Sequence, residues 1–283
     1  MESDGESKFT VVKNELAVYY RDAPPAINAC VNEPAEGSRL HAAKSAAFTN
    51  SAPYEAYTIA RELMASGLDH LSALLILLNH DELPHFACYT VARGLLEASS
   101  RAVWLLDGPI SEDQRTSRGL LEHAERLRNQ HRFDVLDDPN ARQYLDDGLD
   151  KLIARATGCG LSLEVAPSGQ KAGLPVRIGT ETRPGQTAVI GQALQKVIGT
   201  GSDKLGVYSL LSGFAHSDSF TFLMDTPVVA NRAGFELPQS RPNLALIADL
   251  SVFAATIHGG ASGLLIEAAG RDPTSLSGGG NGS

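Results

Sequence analysis

The chain has 283 residues, of which 43% are apolar, and carries a formal net charge of -9 with a pI near 5.4. That much apolar material builds a sizeable core. The acidic balance works against general affinity for nucleic acid, which rests on phosphate neutralisation, and leaves only a local basic patch for that purpose. Cys30, Cys88 and Cys159 stand far apart without CxxC spacing, so neither a disulfide framework nor a zinc ribbon is expected. The opening "MESDGESK" lacks the basic region and apolar stretch of a secretory signal, and a cytoplasmic protein is expected.

In chain order, residues 1–53 read as an irregular N-terminal extension. The prolines of "DAPPAINACVNEPAEG" lack amide donors and restrict their predecessors, and "FTVV" suits a short strand. From Tyr54 the pattern turns helical: Tyr57, Ala60, Leu63 and Met64 form one stripe, and Gly67 is the expected stop. "LDHLSALLILLNH" is apolar almost all round, as befits a helix in the middle of a bundle. Pro84 opens a helix running to Asp107. Ser111 is the expected N-cap of a charged, solvated helix with Glu112 and Asp113 in its first turn.

A helix over 139–157 presents Leu145, Leu149, Leu152 and Ile153 to the core. Residues 158–186 break the pattern, and "LSLEV" with "LPVRIG" predicts a small hairpin in an insertion. Helical periodicity returns at 187–198, 203–222 and 243–269, and 271–283 form a flexible tail. The stretch from Leu250 to Ile266 is slightly short of a membrane span and is broken by His258 and a glycine pair. A buried helix is expected, with Gly259 and Gly263 admitting a close neighbour. The fold class is therefore all-α: a helical bundle over 54–270 with one irregular insertion.

Two helices carry polar stripes at a repeat of four, which places each set on one face. In "HFACYTVARGLLEASSRAVWLLD" the stripe is Arg93, Glu97 and Arg101, opposite a core face of Cys88, Ala92, Leu95, Ser99, Ala102 and Leu106. Trp104 projects near Arg93 and Glu97, and a large aromatic on a charged face implies a cover: another helix, a second subunit or a ligand. The triad is either an intrahelical ion-pair ladder or an anion site in which two guanidiniums hold a phosphate or carboxylate. In "GVYSLLSGFAHS" the stripe is Tyr208, Ser212 and His216, either a satisfied polar seam or a site in which His216 works as acid or base.

The pairing of "ARGLLEASSRAVWLLD" with "YSLLSGFAHS" resembles uncharacterised bacterial helical proteins and, more distantly, the HEPN superfamily, over about residues 54–225. The resemblance implies a helical bundle that often forms homodimers and, in active members, a metal-independent ribonuclease with an Arg-x(4-6)-His motif. Here the positions five to seven before His216 are Leu211, Leu210 and Ser209, whereas Arg118/His123 and Arg126/His131 meet the spacing by chance expectation.

The leading expectation is a HEPN-like cytosolic homodimer that binds RNA or a small anionic ligand between the two striped helices. In its catalytic form His216 does acid-base work, Glu97 orients it and Tyr208 donates a hydrogen bond. Arg93 and Arg101 stabilise phosphate charge, with Ser212 and Trp104 beside the ligand. No cofactor or metal is expected: Glu82 and His85 form a lone ExxH, and no phosphate-binding glycine loop occurs. The alternatives are a noncatalytic interaction protein and an enzyme acting on a small molecule in the same pocket. The packing around Trp104 separates them.

Overall fold

The expected core face of the central helix is buried throughout: Cys88, Ala92, Leu95, Ser99, Ala102 and Leu106 are each almost fully removed from solvent. The computed structural model describes residues 2–134, 140–167, 173–199, 205–215 and 243–276. Among these the helices are α1 (Glu2–Asn32), α2 (Arg39–Ala46), α3 (Ala52–Leu78), α4 (His85–Leu106), α5 (Glu112–Asp134), α6 (Ala141–Gly158), α7 (Gln186–Ile198), α8 (Leu205–Ala215) and α9 (Leu244–Ala268). A 3-10 turn, Pro273–Leu276, follows α9. The protein is all-α, and its one small sheet is antiparallel: β1 (Leu163–Val165), β2 (Pro175–Ile178) and β3 (Glu181–Thr182) in that spatial order. The expected hairpin is β1 with β2, and Leu163 pairs with Ile178.

Helix α4 packs against α3, α5, α7, α8 and α9, and its last six residues are all buried. Two apolar cores result. The larger joins α1–α4 with α7–α9. The smaller is built from α5, α6 and β2, with Leu120, Leu149, Leu152 and Ile178 at its centre.

The N-terminal expectation is corrected. Residues 2–32 form one helix through Pro24 and Pro25, and "FTVV" lies within it rather than in a strand. Each proline deprives a carbonyl four residues earlier of its donor. Burial of Val12, Leu16, Ala23, Ile27 and Val31 against the bundle, α9 above all, outweighs that local loss. Gly67 does not end a helix either, since α3 runs on to Leu78. A Cβ there would stand 2.7 Å from His258 Cδ2, so the glycine makes room for a ring. In α9 the close approach belongs to Gly260, where a Cβ would meet Val197 Cγ2 at 2.5 Å, and not to Gly259 or Gly263. Helix α5 is less solvated than its charge suggests: Arg115, Thr116, Ser117 and Glu122 are buried. Its start is as expected, because Ser111 Oγ accepts from Gln114 N at 3.2 Å while Gln114 Oε1 accepts from Ser111 N at 3.0 Å, a reciprocal cap.

His258 ties three helices together. Its Nε2 lies 3.1 Å from the Met64 carbonyl of α3. A carbonyl only accepts, so Nε2 carries the proton and Nδ1 accepts from the Tyr19 hydroxyl of α1 at 2.6 Å. Burial lowers the His258 pKa despite the Met64 bond and pushes the Tyr19 phenol up to about 12. The unfolded histidine takes a proton near pH 6.5 and the folded one only at lower pH, so stability is full above that range and declines as pH falls through it. Urea denaturation between pH 7 and 5 should show wild type losing up to about 1.4 kcal/mol per pH unit from this group. The His258→Gln variant, weaker at pH 7, should lose less. Parallel pH dependences would contradict the buried neutral ring.

Candidate functional site

The two sequence stripes meet. Arg93 Nε donates to Glu97 Oε1 at 2.7 Å, one turn along α4, and the Tyr208 hydroxyl of α8 donates to the same oxygen at 3.1 Å. The Arg93 guanidinium carbon lies 5.6 Å from the Tyr208 ring centroid, within range of cation-π attraction. Burial and the Glu97 carboxylate raise the Tyr208 pKa, so the phenol is a neutral donor at physiological pH. Arg93 is itself raised, because the Glu97 bond outweighs the lowering by desolvation. The side chains of Arg93 and Glu97 keep 18% and 32% of their surface exposed, so this end of the stripe reaches solvent. Ser212 is half-buried on α8. His216 lies outside the described residues.

The other end of the α4 stripe is used internally. Arg101 and Glu122, 3.7 Å apart, retain only 6% and 8% of their side-chain surface. Arg101 Nη2 donates to Gln186 Oε1 at 2.6 Å, and Gln186 Nε2 donates to the Glu97 carbonyl at 3.3 Å. Burial pulls the Arg101 pKa down, with Glu122 opposing. Trp104 is 4% exposed, and the guanidiniums of Arg101 and Arg118 lie 5.9 and 5.3 Å from its ring. The cover over Trp104 is thus the chain itself, and Arg101 and Trp104 are not presented to a ligand.

Sequence reasoning missed the residues that make this seam. Arg118 Nη1 donates to the Trp104 carbonyl at 2.7 Å and Nε to Glu181 Oε2 at 2.7 Å. Arg115, fully buried, donates to the carbonyls of Leu105 at 3.1 Å and Asp107 at 3.0 Å. Arg183 grips both oxygens of Glu122, at 2.8 and 3.3 Å. Arg115, Arg118 and Glu122, spaced three and four apart, share one helical face, but the spacing does not say whether that face meets water or another element. His123 instead bonds Glu55, whose other oxygen takes Arg155 Nη1 at 2.8 Å. Burial would raise the Glu55 pKa, but His123 and Arg155 together lower it. Arg118 and His123 serve different partners, so their motif spacing does not bring them together.

Among the described residues no group of three His, Cys, Asp or Glu side chains is placed to hold a metal ion. No family model, curated protein or solved structure matches the chain. What the site can do is therefore argued from its geometry.

Glu122 and Arg93 differ in what their loss costs. Removing a buried carboxylate from two guanidiniums strands their charge, and Glu122→Gln should destabilise by about 3–5 kcal/mol. Arg93→Ala breaks a part-exposed pair and should cost about 1 kcal/mol or less. Urea denaturation of both variants checks the ranking, and equal losses would make the Arg93 end as structural as the seam.

Proposed function

We propose that the chain is a HEPN-like helical protein whose α4–α8 face binds an anionic ligand, RNA phosphate, and cleaves it without a metal. The observation that supports this reading is the convergence of Arg93 and Glu97 with Tyr208 from a helix far along the chain, at a surface that stays partly open. Arg93 supplies positive charge for a phosphate oxygen and Tyr208 a neutral hydrogen-bond donor, each in competition with Glu97, to which both donate. On this reading His216, which follows Tyr208 and Ser212 at a repeat of four in the sequence, is the acid-base group. It takes the ribose 2′-hydroxyl proton as the 2′-oxygen bonds to phosphorus. The bond from phosphorus to the 5′-oxygen breaks and that oxygen is protonated, leaving a 2′,3′-cyclic phosphate and a 5′-hydroxyl. Arg101 and Trp104 take no part in ligand binding on this reading. A homodimer in the cytoplasm belongs to the same proposal.

A second reading, a noncatalytic interaction protein, is favoured by the seam itself, since the protein's own arginines seal Trp104 and take Arg101 out of play.

Total RNA incubated in EDTA with wild type, His216→Ala, Arg93→Ala and Tyr208→Phe, each matched by thermal melting, separates the two. Cleavage with cyclic-phosphate ends is expected from wild type, with a loss of about 10²–10⁴ in His216→Ala, the usual worth of general acid-base catalysis. Arg93→Ala should weaken RNA binding as well as cleavage. A folded wild type that neither cleaves nor binds RNA would leave the noncatalytic reading standing.

A further inference from the structure

Two neighbouring glycines in α9 stand in different surroundings. Gly260 is required by Val197 of α7, as described above, whereas a Cβ on Gly259 would meet only the Tyr19 hydroxyl, at 3.9 Å. Gly259 forms part of the wall of a cleft of about 580 Å3 between α1, α9 and the 3-10 turn, with Glu15, Val18, Tyr19, Asp22 and Pro273 around it. That volume lies in the range of small-molecule sites. Val18 is 49% exposed despite being apolar.

We propose that this cleft binds a small apolar cation, a protonated amine carried on a hydrocarbon body. The few polar groups in a mostly apolar lining carry the inference. The Tyr19 proton is committed to His258 Nδ1, because His258 Nε2 must donate to the Met64 carbonyl. The Tyr19 oxygen, 3.9 Å from where a Cβ on Gly259 would stand at the cleft wall, is therefore left as an acceptor. The Ser262 hydroxyl, 3.2 Å from it, also lies 2.9 Å from the His258 carbonyl, to which it donates. Glu15 adds a carboxylate, and Asp22 a second one that Arg21 engages at 2.6 Å. An ammonium group finds a phenol oxygen, a carboxylate and an aromatic ring, while its hydrocarbon body covers Val18, Ala23 and Pro273. An anion would meet carboxylates and lone pairs. The site is separate from the α4–α8 face and does not rest on the ribonuclease reading.

The test is isothermal titration calorimetry of the full chain at neutral pH with n-octylammonium chloride, and with sodium octanoate as the probe of opposite charge. Saturable one-to-one binding of octylammonium is expected, with octanoate at least about tenfold weaker because like charges oppose it. Gly259→Leu places a side chain in the cleft at a helical position where leucine is the better helix former, so it should remove binding without lowering the melting temperature. Glu15→Gln should weaken binding about two- to fivefold, as for a part-exposed charge pair. No octylammonium binding by wild type, equal binding of octanoate, or undiminished binding by Gly259→Leu would each overturn the proposal. So would a dimer in sedimentation that Gly259→Leu splits while wild type takes up no amine, since a second copy would then occupy the cleft.

Discussion

The last turn of α4 leaves backbone carbonyls without partners inside the protein, and a buried carbonyl without a partner is costly. Arg115 answers Leu105 and Asp107, and Arg118 answers Trp104. Both arginines come from α5, so two separate requirements are met together. The negative end of the α4 dipole receives positive charge, and the larger apolar core is fastened to the smaller one built on α5, α6 and the sheet. Guanidinium suits this place better than ammonium, because its planar fork reaches two carbonyls at once and keeps its charge when buried. The rest of the seam follows from the need to balance that charge: Glu122 between Arg101 and Arg183, and Glu181 on Arg118.

The same seam decides where on α4 a ligand can be met. A stripe at a repeat of four runs along one face, but only its N-terminal half lies beyond the cover of α5 and the sheet. Arg101 faces Glu122 and Gln186, whereas Arg93 and Glu97 face α8 and the solvent beside it. Gln186, the first residue of α7, bridges the two halves through Arg101 and the Glu97 carbonyl. One helix thus carries a structural network at one end and an accessible polar group at the other.

Much of the fold was legible from periodicity. The core face of α4, the N-cap at Ser111, the hairpin and the limits of α7 all follow from local patterns that tertiary packing reinforces. Errors arose where packing overrode a local signal. Pro24 and Pro25 sit inside α1 because its apolar stripe is held by the bundle, and Gly67 continues α3 because the His258 ring needs its space. In the candidate site, the repeat of four put Arg93 with Glu97 on one face of α4 and Tyr208 with Ser212 on one face of α8, but that Tyr208 meets Glu97 follows from how the two helices pack. The fate of Arg101 was not legible either, since its partners Glu122, Pro184 and Gln186 come from other elements. The charge of α5 read as solvation because a ladder of opposite charges looks the same in sequence whether it meets water or another helix.

Trp104 is the one tryptophan of the chain, which makes the seam directly observable. Quenching of its fluorescence by iodide and by acrylamide in the native protein tests the central claim that the chain's own guanidiniums cover this ring. The expected result is blue-shifted emission with little quenching by either agent, and a marked rise in quenching in Arg118→Ala. Ready quenching of the native protein would mean that the ring is open to solvent, and the seam would not be the element that organises α4.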